Sequence, residues 1–180
     1  QLVQAYSAMA NGGSRWRPRL VERIAWPDGT VVKQWLPEKT GELKFGPKTM
    51  DVLNRALWAV VNEPGGTGAN ARVPGADVCG KTGTSQVIGL PQNEKARHAM
   101  KIAAFHKDHA LFVCYAPLKN PEIAVAVVAE NAGGGGAVAA PIARKILAAY
   151  FESKKKEKTN SAAVRLTQAA ASENAQPVGP

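Results

Sequence analysis

The chemistry of this sequence is concentrated in four residues, Lys81-Thr82-Gly83-Thr84, called here the KTGT tetrad. On a strand, alternation places the Thr82 and Thr84 hydroxyls on one face, where together they can hold a carboxylate. Gly83 has no side chain, so a substrate backbone can lie alongside it, and Lys81 adds a positive charge for the same anion. Strict alternation directs Lys81 to the other face, so the pattern alone does not bring its ammonium to the hydroxyls. The tetrad predicts a carboxylate-binding strand.

The same lysine also completes a phosphate-loop pattern, G-x-x-x-x-G-K-T, from Gly75 to Thr82. A phosphate loop needs a buried strand before it and a helix after it, whose N-terminus holds the phosphate. The preceding GGTGANARVPGAD contains no apolar strand, and the following TGTSQVIGLP is poor helix sequence and fair strand sequence. The nucleotide-binding interpretation is therefore rejected.

Three helices are predicted to flank this strand, because three stretches carry apolar residues at the spacing of a helix face. Asn11-Gly12-Gly13 ends the first, Pro47 suits the start of the second, and Pro141 lies in or near the first turn of the third. The predicted inner faces are Leu2, Tyr6 and Met9 in the first helix, Met50, Leu53, Leu57 and Val60 in the second, and Ile142, Ile146 and Tyr150 in the third.

The predicted strands favour an antiparallel sheet. Two short runs flank the turn sequence PDGT at 27–30, which predicts a hairpin. The tetrad lies in a strand-like segment, VCGKTGTSQVIG, and two further strands, HALFVCYAP and PEIAVAVVAEN, are joined by a turn at 118–121. A mainly antiparallel sheet flanked by helices is an α+β fold.

The two ends of the chain differ in character. The first helix begins at Gln1 without an N-cap or a first turn, so we expect the C-terminal part of a longer domain that is truncated at its N-terminus. Residues 152–180 are charged and then rich in Ala, Ser, Gln and Pro, without aromatics. This composition predicts a disordered basic and Ala-rich tail after a domain that covers residues 1–151.

The flanks of the tetrad carry a family resemblance. GKTGTSQV, DHALFVCYAP, NPEIAVAVVAEN, a glycine run before the last helix, and QLVQAYSAMANGG resemble class B penicillin-binding proteins in order and spacing. They are most similar to the elongation-type members, over about residues 1–151. The resemblance implies part of a β-lactamase/transpeptidase-like fold and, in the intact protein, a D,D-transpeptidase that cross-links peptidoglycan stem peptides ending in D-Ala-D-Ala through a serine acyl-enzyme.

The resemblance also implies roles, partners and a location. Lys81 would help to bind the terminal carboxylate and tune the proton network, Thr82 and Thr84 would bind that carboxylate, and Gly83 would let the substrate dock. The Thr84 N–H would form half of the oxyanion hole. No cofactor is implied. β-Lactams would be inhibitors, other elongation-machinery proteins would be partners, and the parent protein would be held in the inner membrane with its catalytic domain in the periplasm.

The nucleophile of this family is not found in the chain. Ser-x-x-Lys and Ser-x-Asn should precede the tetrad, and the upstream serines, Ser7 and Ser14, begin neither pattern. The downstream matches at 153–156 and 172–174 are rejected because they follow the tetrad and lie in a solvated segment, where a lysine keeps its proton. The chain alone is therefore predicted to be inactive. The alternatives for the parent are a β-lactamase or D,D-carboxypeptidase, or a non-catalytic β-lactam-sensor or binding domain.

Other features carry weaker signals. The net charge of +9 comes with no motif for reading nucleic acid, so nucleic acid is not expected as a partner. His98, His106, Asp108 and His109 match no strong metal motif, and a structural role is favoured over a metal site. Cys79 and Cys114 are expected to be buried free thiols. The glycine run at 133–136 is interpreted as a strand-to-helix corner, with an anion-binding turn as the alternative.

Overall fold

The computed structural model describes the backbone of residues 1–89, 93 and 104–173, and side chains as far as residue 161. The chain divides into two compact units, Gln1–Arg144 and Lys145–Pro180. No helix in the described ranges is both long enough and apolar enough to cross a bilayer. The first unit contains the KTGT tetrad and every strand found within the described ranges.

Helices form where the apolar spacing predicts them, at α1 Leu2–Ala10, α2 Pro47–Asn62 and α3 Ala139–Glu173. Helix α1 ends because Gly12 and Gly13 adopt positive φ angles of 78° and 107°, which side chains rarely tolerate, and the Gly13 N–H returns to the Ala8 carbonyl. Pro47 occupies the first turn of α2, as predicted, because its missing N–H would have no helical partner there.

Two small antiparallel pairs follow α1. Strands β2 Arg23–Ala25 and β3 Val31–Gln34 form the predicted hairpin, and the Asp28 carboxylate accepts the Thr30 N–H in its turn. The second pair, β1 Ser14–Trp16 with β4 Lys39–Glu42, is not predicted from the sequence. These strands are three and four residues long and exposed along most of their length, so no burial pattern marks them.

The main sheet has the order β5-β6-β7, with β5 Cys79–Ser85, β6 His109–Ala116 and β7 Ile123–Ala129. Both pairings are antiparallel, so the predicted α+β fold is confirmed. Strand β6 is paired on both sides and is buried continuously from residue 112 to 116. Helix α1 contacts β6 and β7, and α2 contacts β5.

Helix α3 differs from the sequence predictions in two respects. In its first turns Ala140 and Ala143 are buried, whereas Ile142 is 39% exposed, so the predicted inner face is wrong there. The alanines at positions 139, 140 and 143 also form an apolar stripe, and it is this stripe that is buried. The helix also continues to Glu173, where a disordered tail was expected from residue 152, because Ala, Lys, Glu and Leu favour helix. The division at residue 151 stays a prediction.

Candidate active site

The KTGT tetrad lies on β5, an edge strand of the main sheet whose one strand partner among the described residues is β6. Lys81 pairs with Val113, Thr82 with Phe112, Gly83 with Leu111 and Thr84 with Ala110. Alternation along this regular ladder puts Thr82 and Thr84 on one face and Lys81 on the other, as the spacing predicts. Lys81 and Thr84 are exposed, and Thr82 and Gly83 are half-buried, so the tetrad is open to a ligand.

Two hydrogen bonds fix the tetrad locally. The Lys81 ammonium donates to the carbonyl oxygen of Thr82 at 2.8 Å, which turns its charge back along the strand edge. The Thr82 hydroxyl lies 3.0 Å from the hydroxyl of Thr67, and either oxygen can donate. The ammonium is therefore hydrogen-bonded to the backbone of Thr82, a contact that alternation by itself does not predict. Thr67 was not identified from the sequence as part of the site.

Thr67 belongs to a turn that is packed on the end of α2. The Gly68 N–H donates to the Val60 carbonyl at 2.9 Å, and a Cβ at Gly66 would overlap that same carbonyl oxygen. On the other side, the Arg72 guanidinium donates to the carbonyls of Val61 and Asn62 at the end of the helix and to that of Glu63, its C-cap residue. These contacts satisfy backbone oxygens at the helix end and hold the turn in one place.

The glycine run lies against the back of the tetrad. A Cβ at Gly135 would overlap the carbonyl oxygens of Gly83 and Leu111, and one at Gly136 would overlap the Thr67 carbonyl oxygen. The side-chain amide of Asn70 donates to the Gly136 carbonyl at 2.9 Å. The run is therefore a close-packed corner. The alternative of an anion-binding turn is disfavoured because the N–H groups of residues 137, 138 and 140 donate to the carbonyls of Gly134 and Gly135.

A cavity of about 240 Å³ adjoins the tetrad. Lys81, Thr82 and Gly83 form one wall, and Leu2 and Tyr6 of α1 contribute another. A larger cavity of about 660 Å³ lies elsewhere, around Arg72, and contains no residue of the tetrad. The smaller, more apolar space is the one that a ligand on β5 would extend into.

Behind the tetrad, the sheet is fixed to α2 by buried polar contacts. The Tyr115 hydroxyl donates to the Asn54 side-chain oxygen at 2.7 Å, and Cys79 and Cys114 are buried free thiols, as predicted. Burial raises the pKa of Cys79 to about 11 and that of Cys114 to about 12, and burial likewise raises the pKa of Tyr115. These thiols stay protonated at neutral pH and are not nucleophiles.

The predicted histidine and aspartate positions have structural contacts. Asp108 accepts the Gly133 N–H through its carbonyl and the Val87 N–H through its carboxylate, and His109 Nδ1 accepts the Asn131 N–H. His98 lies outside the described residues. Within the described ranges, no cluster of three or more His, Cys, Asp or Glu side chains is placed to hold a metal ion. Asp108 therefore links the chain just after β5 to the glycine run, and His109 links the start of β6 to Asn131.

Both downstream serine patterns lie in the second unit. Ser153 and Lys156 are exposed on α3, and the Lys156 ammonium pairs with the Glu152 carboxylate at 2.9 Å. The Lys156 side chain is thus exposed and engaged by Glu152 rather than by Ser153, which supports the rejection of this pattern. In the second pattern, the side chain of Ser172 and all of Asn174 lie outside the described residues.

The chain was compared with known proteins. The penicillin-binding protein transpeptidase domain matches residues 1–148. The peptidoglycan D,D-transpeptidase MrdA of Haemophilus influenzae is 36% identical over 136 residues, which cover 74% of this chain and 20% of that protein. Penicillin-binding protein 2 of Pseudomonas aeruginosa, in complex with WCK 5153, is 31% identical with a TM-score of 0.60 and covers 82% of this chain and 28% of its own.

A further solved structure has the same fold. Penicillin-binding protein A from M. tuberculosis, as an imipenem acyl-enzyme complex, is 27% identical with a TM-score of 0.62, over 83% of this chain and 29% of that one. This chain therefore spans about a fifth of the length of the MrdA relative and less than a third of the two solved chains. Since the family match covers most of the chain, this chain belongs to the penicillin-binding protein transpeptidase domain family.

Proposed function

We propose that the protein containing this chain is a peptidoglycan D,D-transpeptidase that works through a serine acyl-enzyme, and that this chain supplies the carboxylate-binding wall of its site. The observation that carries the proposal is the arrangement at Thr82. Thr82 lies on the edge strand β5, and its hydroxyl is hydrogen-bonded to the hydroxyl of Thr67. The Lys81 ammonium donates to the carbonyl oxygen of the same residue, Thr82. A hydroxyl and an ammonium that both contact Thr82 on an edge strand suit an anionic ligand.

The wall would act on the terminal carboxylate of a stem peptide that ends in D-Ala-D-Ala. The Thr82 and Thr84 hydroxyls donate to its oxygens, and Lys81 neutralises its charge. Gly83 leaves room for the peptide to lie along β5, and the Thr84 N–H donates to the oxyanion as the serine attacks. Because β-lactams carry a carboxylate next to a reactive amide, they would occupy the same wall and acylate the same serine.

The nucleophile would come from residues outside this sequence. Neither Ser7 nor Ser14 begins Ser-x-x-Lys, and the exposed Ser153 has no base beside it because Lys156 is paired with Glu152. Residues 1–180 alone would then hold a carboxylate without forming an acyl-enzyme. From the family resemblance we also propose that the parent protein is anchored in the inner membrane, has its catalytic domain in the periplasm and works with other proteins of cell elongation.

Labelling with a fluorescent penicillin, followed by denaturing electrophoresis, tests the proposal. The protein as its gene encodes it should give a covalent band, and residues 1–180 alone should give none. A band from residues 1–180 would refute the assignment of the nucleophile, and no band from the encoded protein would refute the transpeptidase. Rapid loss of the label would indicate a β-lactamase instead. Stable labelling without release of D-Ala from a pentapeptide would indicate a sensor.

A further inference from the structure

We propose that Thr67 is a positioning residue of the carboxylate site, and that it acts through the hydroxyl of Thr82. The inference rests on the proposed function. Its basis is a hydroxyl pair across two separate elements: Thr67 lies in the turn after α2, and Thr82 lies on β5, with their oxygens 3.0 Å apart.

The direction of the bond follows from the proton count. A threonine hydroxyl has one proton to donate and two lone pairs to accept with, whereas a carboxylate can only accept. When a carboxylate binds, Thr82 must give it that single proton. The bond between the hydroxyls then survives only if Thr67 is the donor. The bound state is therefore a chain of donors, from Thr67 to Thr82 to the carboxylate, in which each bond polarises the next.

The environment of Thr82 supports a positioning role. Its hydroxyl meets Thr67, and its methyl group lies 3.6 Å from the position of a Cβ at Gly136. A β-branched side chain has few χ1 rotamers open to it, and the hydrogen bond to Thr67 favours the one that keeps the two hydroxyls together. Thr67 is itself fixed, because its neighbours Gly66 and Gly68 pack against the carbonyl of Val60. A fixed donor on a packed turn is how a side chain that binds substrate is pre-oriented.

Three variants of the gene-encoded protein separate this role from a simple loop contact. Thr67→Val keeps the shape and removes the hydroxyl, Thr67→Ser keeps the hydroxyl, and Thr40→Val is the matched control. Thr40 donates from its hydroxyl to the Arg15 carbonyl on β1, so its variant also loses one threonine hydrogen bond. The probes are a fluorescent penicillin with a free carboxylate and its methyl ester. The readout is the second-order rate constant of acylation.

Thr67→Val should lower the rate for the free acid by about threefold to tenfold, the worth of one hydrogen bond, and lower the rate for the ester less, because an uncharged ester oxygen accepts a weaker hydrogen bond. Thr67→Ser should restore the rate, and Thr40→Val should match the original protein with both probes. An equal loss for acid and ester would make Thr67 merely structural and overturn the proposal. So would an unchanged rate in Thr67→Val.

A second measurement separates this inference from the proposed function. Three-bond couplings to the Thr82 methyl carbon report its χ1 rotamer without any acylation. A single rotamer is expected in the original protein and in Thr67→Ser, and averaging is expected in Thr67→Val. If the original protein is not acylated, the transpeptidase and the donor chain to its carboxylate both fail, even where the rotamer responds. If acylation occurs and the Thr82 rotamer ignores Thr67, only the positioning role fails.

Discussion

Gly135 lies directly against Gly83, the central glycine of the KTGT tetrad, so closely that a side chain at Gly135 would overlap the Gly83 carbonyl oxygen. The two glycines are far apart in sequence and meet because the corner after β7 folds back over the sheet. At Gly83 the tetrad is thus contacted by backbone rather than by a side chain. This contact explains why the corner before α3 requires glycine at position 135.

The contact predicts a difference between neighbouring glycines. Gly135→Ala should lower the free energy of unfolding by roughly 1–3 kcal/mol, because β5 or the corner must shift to admit the methyl group. It should also slow acylation by fluorescent penicillin. Gly134→Ala is the matched control, since Gly134 is exposed, has no atom within 4 Å of an added Cβ and does not adopt a left-handed φ. Urea titrations of both variants give the comparison, and equal losses would contradict the account.

Removing the charge of Lys81 should weaken the response to an anionic ligand. For Lys81→Gln in the gene-encoded protein, we expect the second-order rate of acylation to fall by roughly tenfold to a hundredfold, the range for a hydrogen bond to a charged group. Lys119→Gln, in the exposed turn between β6 and β7, is a control with the same change in net charge. Should both variants lose activity equally, general charge rather than a specific contact would be responsible.

Asn131 should contribute to stability in two separable ways. Its φ is 50°, and its side-chain amide donates to the carbonyls of Phe105 at 2.7 Å and Lys107 at 3.0 Å. Asn131→Gly loses both hydrogen bonds, at about 1 kcal/mol each, and keeps the backbone conformation accessible. Asn131→Ala should be about 1 kcal/mol less stable again, because alanine is strained in the left-handed region.

Chemical denaturation measures these differences in the free energy of unfolding. Asn120→Gly is the control, because Asn120 also has a left-handed φ, of 54°, and its side chain makes none of the hydrogen bonds seen within the described ranges. Its stability should change little. If Asn131→Gly were as stable as the original chain, the two side-chain hydrogen bonds would carry no net weight.

The buried thiols predict a loss of stability at alkaline pH. Burial raises the pKa of Cys79 to about 11 and of Cys114 to about 12, from an ordinary value of 9.0. Below pH 9 the thiols are protonated in both states, so their contribution is constant. Above pH 9 the unfolded thiols lose protons that the folded ones keep. The unfolded state then binds fewer protons, and stability falls as pH rises toward 11 and 12.

The expected slope above pH 9 is on the order of 1 kcal/mol per pH unit for each thiol. Urea titrations between pH 8 and 10.5 measure it. In the double variant Cys79→Ala with Cys114→Ala, the free energy of unfolding should change less with pH between pH 9 and 10. It should still fall with pH above pH 10, because burial also raises the pKa of Tyr115. An unchanged slope in the double variant would rule out the thiols as its source.

Local patterns in the sequence were sufficient to predict much of the fold. The helix ends at Gly12 and Pro47, the hairpin around Asp28 and the strand that carries the tetrad are all encoded by residues that lie next to one another. The pairing of β1 with β4 was missed because its partners are about 25 residues apart and mostly exposed. The buried face of α3 was assigned wrongly because two apolar stripes compete in it, and tertiary packing decides between them.

The site was predicted as a strand but not as a set of contacts. Thr82 was identified from its place in the tetrad, whereas its partner Thr67 is 15 residues away, in a segment whose only noted property was that it contains no apolar strand. The one available signal was a threonine between glycines, which marks a hydroxyl on a tightly packed turn. Asn70 meets Gly136 across 66 residues, a distance that no local pattern spans. Such contacts follow from the topology of the sheet.

The central position of β6 has a consequence for hydrogen exchange. Its amides are enclosed between two strands, and its residues 112–116 are buried, so they should exchange only through the largest openings of this unit. Strand β5 has one strand neighbour and should open at lower cost from its outer side. The segment that carries the KTGT tetrad therefore belongs to the less protected part of the sheet, and a ligand seated along it should slow exchange there far more than in β6.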